Sequence, residues 1–278
     1  MNNMKKNIGI IGFGNMGSSI AERIKPKYKV WVFDKDKNKT HRLKDISIAD
    51  SCIDLVNKVE VIIFAVKPQD FDAVLNEIKS VIKDKLVISI AAGITTGYIK
   101  KTLGDVKVIR VMPNIEIMID RGITFICKGR FTKSKDIFFV RRLFNYMGKT
   151  RVINEDKIND ATAISGSRLA YYCAEIEKKK IDYHNIPKEI EDQFENNLKK
   201  AAKSLGFDDT LAMTMSVGTG PSCEIFFENK KMTPKELREK ITSKKGTTEA
   251  ALRVLRKTGS LIKAVKAAVK RARELSRR

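Results

Sequence analysis

Short apolar runs alternate with amphipathic, helix-length stretches along the first half of the chain. Runs at 7–11, 29–33, 61–66, 86–90, 106–111 and 122–127 read as strands, with helices over 18–24, 71–81, 96–103 and 133–147 between them. Strands that are apolar at nearly every position, separated by helices, belong to a parallel sheet covered on both faces. Residues 150–153, after Gly148, read as a last strand. From about Asp156 the pattern turns helical throughout, over 156–180, 188–205, 209–228, 234–241, 247–258 and 261–276. Thr233 before Pro234, with Glu236 three residues on, is a capping box with proline at the first helical position. Gly259 reads as a helix stop. The pattern therefore predicts an α/β fold, a doubly wound N-terminal sheet over 1–153 followed by an all-helical C-terminal domain over 154–278. Helical domains of this kind commonly cover their apolar faces with a partner subunit, so a homodimer or larger homo-oligomer is expected.

The first strand runs into Gly12-Phe13-Gly14-Asn15-Met16-Gly17, a G-x-G-x-x-G turn that leads into a helix. Each glycine has a physical job there. Gly12 makes the tight turn, Gly14 lets a pyrophosphate approach the backbone, and Gly17 packs helix against strand, so the sheet is expected to be of Rossmann type. Free N–H groups at the helix start favour an anion. The second strand ends in Phe33-Asp34-Lys35-Asp36, where the adenosine ribose should lie. Asp34 suits a free 2′-hydroxyl and hence NADH; Lys35 and its neighbouring lysines suit a 2′-phosphate and hence NADPH. Ala65-Val66-Lys67-Pro68 and Ala91-Ala92-Gly93 end two further strands, where such a sheet binds its ligand and small residues admit a dinucleotide.

Composition narrows the class. The chain has 278 residues, 42% hydrophobic and 32% charged, as expected of a folded globular protein. No apolar stretch approaches the roughly 20 residues of a membrane span, and the first strand begins too close to Met1 to leave room for a secretory leader. Cys52, Cys127, Cys173 and Cys223 lie far apart, so neither a metal site nor a disulfide framework is expected, and a cytoplasmic location fits. The net charge of +22 raises the question of nucleic acid. Residues 1–160 hold 30 Lys and Arg against 18 Asp and Glu, and the remainder 25 against 15, so the excess is spread evenly. In the final helix Lys263, Lys266, Lys270, Arg271 and Arg273 alternate with an apolar stripe, the pattern of an ordinary solvated face. Neither nucleic acid nor a membrane is an expected partner. His41 and His184 stand alone and read as surface residues.

The ordered segments Gly12-Phe-Gly-Asn-Met-Gly17, Ala65-Val-Lys-Pro-Gln69, Ser89-Ile-Ala-Ala-Gly-Ile94, Arg110-Val-Met-Pro-Asn114, Asp160–Ser167 and Thr242–Leu255 closely resemble the pyrroline-5-carboxylate reductase family over nearly the whole chain. The resemblance implies NADPH- or NADH-dependent reduction of a cyclic imino acid to L-proline, without a metal. It implies a cofactor held by Gly12, Gly14, Asn15, Met16 and Gly17, by Asp34 and Lys35, and by the segments Ala65–Pro68 and Ala91–Gly93. It also implies that Thr248 is the hydroxyl near the imine nitrogen. Asn114, Ser167 and the loop Ser243, Lys244, Lys245, Gly246 and Thr247 would bind the substrate, the loop backbone holding its carboxylate. A loop leading into a helix suits that task, because backbone N–H groups there attract carboxylates, although Thr247 and Thr248 also serve as ordinary helix-start residues.

Departures from the family pattern cluster in the substrate half. The usual S-G-S-G-P-A-Y appears as Ser165-Gly-Ser-Arg168-Leu169-Ala-Tyr171, P-G-G as Lys244-Lys245-Gly246, and T-P-A as Ile115-Glu116-Ile117; residues 175–193 look like an insertion. Either the extra lysines and Arg168 hold the same carboxylate, or the pocket accepts another imine or hydroxy acid. A cofactor-binding regulatory paralogue without turnover is a further alternative. A β-hydroxy acid dehydrogenase of similar architecture would carry a lysine early in the first interdomain helix, and none occurs here before Lys178.

Overall fold

A computed structural model describes residues 6–41 and 43–276, so residues 1–5 and 277–278, at the outer ends of the two expected domains, lie outside the described residues. The chain divides into two compact units. One holds residues up to Pro113 together with Thr124–Glu155; the other holds Asn114–Ile123 and everything described from Asp156 onward.

The first unit is built on strands β1 (Asn7–Ile11), β2 (Lys29–Phe33), β3 (Ser47–Ile48), β4 (Val61–Phe64), β5 (Leu86–Ser89), β6 (Lys107–Met112), β7 (Gly122–Lys128) and β8 (Gly148–Val152). Helices α1 (Asn15–Ile24), α2 (Cys52–Lys58), α3 (Phe71–Ile78), α4 (Thr96–Leu103) and α5 (Ser134–Phe144) connect them. The sheet order is β3-β2-β1-β4-β5-β6-β7-β8. Strand order reverses between β1 and β4, and a doubly wound sheet binds its ligand at that switch point. Ile8, Ile10, Ile62, Ile63, Val87 and Ile88 have no exposed surface, which is why these strands read as unbroken apolar runs.

Two expectations need amendment. β6 and β7 pair antiparallel, Arg110 facing Cys127 and Met112 facing Phe125, not parallel. Residues 113–121 are too short to carry a helical crossover, which a parallel return needs. The chain also contains β3 and α2, which the apolar pattern did not predict; α2 is a single short helix whose first turn is capped by Ser51 Oγ accepting from Asp54 N–H at 3.0 Å.

The second unit is helical: α6 (Ile158–Ser165), α7 (Arg168–Lys179), α8 (Lys188–Lys203), α9 (Asp209–Ser216), α10 (Thr219–Asn229), α11 (Pro234–Ile241), α12 (Thr247–Thr258) and α13 (Leu261–Leu275). Two predicted long helices are each broken in two. The stretch 156–180 breaks at Gly166-Ser167, and 209–228 breaks at Gly218, whose φ of +80° no continuing helix can accommodate. The capping box at Thr233 and the Gly259 stop, at φ +68°, form as read. α13 packs against α6, α8 and α12, burying Ala264, Val265 and Ala268. Among the described residues no helix is long and apolar enough to cross a membrane.

Candidate active site

The glycine turn lies between the ends of β1, β2 and β4. Gly12 N–H donates to Phe33 O at 2.8 Å, and Ala65 N–H donates to Ile11 O at 2.8 Å. Gly12 adopts φ +98°, and a Cβ there would press on the Ala65 carbonyl and the Val66 nitrogen, so only glycine fits. A Cβ on Gly17 would collide with the Gly12 carbonyl oxygen. Gly14, by contrast, faces open space, with nothing within 4 Å of where a Cβ would stand. α1 starts at Asn15, three residues earlier than predicted, and no side chain caps its first turn. Its leading N–H groups are therefore left to an external anion.

A cavity of about 450 Å³ opens over this turn. Gly12 and Gly14 form one wall, Ala65, Val66 and Lys67 another, and Asp34 and Lys35 the far end. The open backbone at Gly14 and the uncapped helix fit a dinucleotide pyrophosphate. Asn15 is exposed and Met16 half-buried in the adjoining turn of α1, while Pro68 begins the turn after Lys67. Ala91, Ala92 and Gly93 follow β5, Gly93 at φ +79°, and none of the three lines the cavity. Lys39, one of the lysines neighbouring Lys35, also lines it, as does Asp70, which sequence reasoning did not single out. Lys39 Nζ lies 3.2 Å from Asp34 Oδ1, and Lys35 Nζ 2.6 Å from Asp70 Oδ1.

Asp34 does more than face a ribose. Its Oδ2 accepts from Phe13 N–H at 2.7 Å and its Oδ1 from Asp36 N–H at 2.9 Å, so it braces the glycine turn against the loop after β2. Burial pushes its carboxyl up, but the two backbone N–H groups and the Lys39 ammonium outweigh that and hold it below the ordinary carboxylate range.

In the second unit, the expected substrate residues gather around the start of α12. Thr248 Oγ1 and Ser167 Oγ lie 2.8 Å apart, both buried, although 81 positions separate them. α12 has Gly246 as its N-cap residue and no side-chain cap. Ahead of it, Gly246 N–H donates to Ser243 O at 3.0 Å, and a Cβ on Gly246 would strike Ser243 Oγ. Lys245 adopts φ +58° in the place of a family glycine. Its N–H donates to Glu249 Oε2 at 2.8 Å, and its carbonyl accepts from Arg271 Nε at 2.9 Å. The Ser243, Lys244 and Lys245 side chains are exposed, and Thr247 is half-buried.

Arg168 holds a carboxylate, but it is the protein's own. Its Nε and Nη2 form a bidentate fork on Glu116, at 2.9 and 2.5 Å, and its Nη1 donates to the carbonyls of Met215 and Val217 at 3.2 and 3.0 Å. Arg168 is 2% exposed and Glu116 not at all. Two of the departures from the family pattern are thus partners of each other. Asn114 is also turned inward: its Oδ1 accepts from Ile123 N–H at 3.0 Å, and its Nδ2 donates to Glu116 Oε2 at 2.6 Å and Ser165 O at 3.1 Å. Another cavity, of about 760 Å³, lies elsewhere in this unit, beside Lys178, Asn197, Arg256 and Leu261, and is lined by none of the expected site residues.

Comparison with known proteins gives two family matches along the chain. Residues 7–93 match the family described as NADP oxidoreductase coenzyme F420-dependent, and residues 193–275 match pyrroline-5-carboxylate reductase dimerisation. The pyrroline-5-carboxylate reductase of Escherichia coli K12 is 36% identical over 185 residues, 63% of this chain and 68% of that protein. Pyrroline-5-carboxylate reductase 1 of Bacillus subtilis 168 is 30% identical over 98% of this chain and 90% of its own length. Among solved structures, the pyrroline-5-carboxylate reductase of Coxiella burnetii superposes with a TM-score of 0.66 at 27% identity, covering 99% of this chain and 100% of the other.

Proposed function

The chain belongs to the pyrroline-5-carboxylate reductase family, and on that premise we propose how its residues carry the reaction. It is an NAD(P)H-dependent oxidoreductase that reduces the cyclic imine 1-pyrroline-5-carboxylate to L-proline. The glycine turn and the uncapped start of α1 hold the pyrophosphate, with Asp34, Lys35 and Lys39 at the ribose end. When bound, the reduced nicotinamide supplies the hydride that the imine carbon accepts.

The chain's part in the second unit is to orient the imino acid. Its carboxylate binds at the uncapped start of α12, against backbone N–H groups and the positive end of the helix dipole. Gly246 permits the tight turn against Ser243 from which α12 starts, and the exposed Lys244 and Lys245 add attraction without entering the bonding. The Ser167–Thr248 contact then decides where a proton goes. Two hydroxyls carry two protons, and their mutual bond uses one. With Ser167 donating to Thr248, the Thr248 proton is free to point at the imine nitrogen, where negative charge is relieved as the carbon takes hydride. The product carries C–H and N–H in place of C=N, the second hydrogen coming from water through this hydroxyl.

The observation that carries the reading is the 2.8 Å pairing of Ser167 with Thr248 beside an uncapped helix start. Purified protein supplied with pyrroline-5-carboxylate should oxidise NADPH or NADH, followed at the nicotinamide absorbance, and form proline. Absence of turnover with both cofactors refutes it. A homodimer or larger homo-oligomer is proposed as the working form, supported by the dimerisation-family match and by Met213 and Val217, exposed apolar side chains in the same unit that a partner would cover. Four buried cysteines without a disulfide support a reducing, cytoplasmic setting.

A further inference from the structure

Ser167 lies in the two-residue break between α6 and α7, where its N–H donates to Ile164 O at 3.3 Å and its carbonyl accepts the first bond of α7, from Tyr171 N–H at 3.0 Å. Its backbone stands at φ −120° and ψ −3°, and its own helix-start position carries no side-chain cap. Beyond these backbone bonds, a buried polar cluster grips the break on either side. Before Ser167, the Ser165 carbonyl accepts from Asn114 Nδ2 at 3.1 Å. After it, the Arg168 guanidinium grips Glu116 with two bonds and the carbonyls of Met215 and Val217 with two more. Those carbonyls lie at the C-terminal end of α9, where backbone acceptors lack helical partners and a cation is favoured. Glu116 Oε2 joins the two sides by accepting from both Asn114 and Arg168.

We propose that Arg168, with Glu116 as its counter-ion, is a positioning residue for reduction: it sets the Ser167 hydroxyl and, through it, the Thr248 hydroxyl. The inference rests on the functional reading above. A fully desolvated ion pair contributes little stability over an apolar pair of the same shape, so its mere presence does not argue for a stabilising role. A bidentate guanidinium–carboxylate fork does something an apolar pair cannot: it fixes direction as well as distance. Here the fork constrains the residue next to Ser167, and a hydroxyl displaced by about 1 Å can cost on the order of a hundredfold in rate. Arg168 is almost wholly buried and its contacts are with Glu116 and backbone carbonyls, so it touches neither substrate nor cofactor in this role.

The test is steady-state kinetics with pyrroline-5-carboxylate on the parent chain, the double variant Glu116→Gln/Arg168→Met, the conservative Arg168→Lys, and each of these combined with Ser167→Ala. The double variant removes both charges together, so no buried charge is left unpaired, and circular dichroism checks that it is folded. The expected result is a fall in kcat of about tenfold or more, with KM for the nicotinamide cofactor unchanged and partial recovery in Arg168→Lys. In the Ser167→Ala background the same changes should lower kcat by less than about twofold, because the route through Ser167 is already cut. A purely structural pair would show the opposite: multiplicative losses in both backgrounds, or a folded double variant with parental kcat. Either result overturns the proposal and leaves the functional reading intact. Failure of the double variant to fold leaves Arg168→Lys to decide by the same comparison. No turnover by the parent chain strikes the functional reading itself, and the role given to Arg168 falls with it.

Discussion

Replacing Lys245 by glycine should stabilise the protein. Lys245 holds φ +58°, a left-handed conformation that costs an L residue with a Cβ roughly 1–2 kcal/mol. Glycine adopts it freely but loses about 0.4–1 kcal/mol through the greater freedom of the unfolded chain. The native contacts survive the change, because both are made by backbone: the N–H to Glu249 Oε2 at 2.8 Å, and the carbonyl from Arg271 Nε at 2.9 Å. The lysine side chain is exposed and, among the described residues, makes no ion pair that would be lost. The net gain is about 0.5–1 kcal/mol, which for a chain of this size raises Tm by about 1–3 °C. Thermal unfolding followed by circular dichroism reads it directly. Gly259→Ala is the converse control. Gly259 stands at φ +68° with open space where a Cβ would go, so its substitution carries the conformational cost without a clash, and Tm should fall. The reasoning is refuted if Lys245→Gly lowers Tm while Gly259→Ala raises it or leaves it unmoved. KM for the imino acid should change less than about twofold in Lys245→Gly, since the loop backbone is retained.

Three further outcomes follow from the two sites. Thr248→Ala should lower kcat by about ten- to a hundredfold with little change in cofactor affinity measured by nucleotide fluorescence; an equal loss of cofactor binding would contradict the role assigned to its hydroxyl. Lys39→Ala removes the cation beside Asp34, and should raise KM for NADPH by about fivefold or more while leaving KM for NADH within about twofold; equal effects on both would place Lys39 away from the 2′-phosphate. Asp34 has a carboxyl held below its ordinary value of 3.8, so its contribution to stability is present above that pH and is lost as pH falls through the native value. Urea midpoints measured between about pH 5 and pH 2.5 should therefore decline less steeply in Asp34→Asn than in the parent; parallel curves would refute this.

How much of this was legible in the chain depends on whether a feature is local. The first unit's strands were readable because residues such as Ile10, Ile63 and Ile88 are buried on both faces, leaving unbroken apolar runs. The glycine turn was readable because its backbone geometry, φ +98° at Gly12 and the close approach at Gly17, admits no other residue. By the same reasoning α2 was missed: seven residues with one capping serine give too little periodicity to register. The direction of β7 was missed because strand polarity depends on the length of the link and not on the strand's own residues. Arg168 and Glu116 were seen one at a time, 52 positions apart; Arg168 was read as a charge available to substrate, and Glu116 only as a departure from the family pattern. Yet each stands in apolar company, Glu116 between Ile115 and Ile117, and Arg168 before Leu169 and Ala170. Either residue alone, buried and unpaired, would cost several kcal/mol, enough to consume a large part of an ordinary folding free energy. A charge placed in an apolar segment therefore requires an opposite charge to meet it: Arg110, between Ile109 and Val111, meets Glu155 at 3.3 Å, and Glu116 and Arg168, of opposite sign and both new to the family pattern, meet each other. The structure pairs them in this way, and it moves Arg168 from the list of substrate ligands to the frame that aims Ser167.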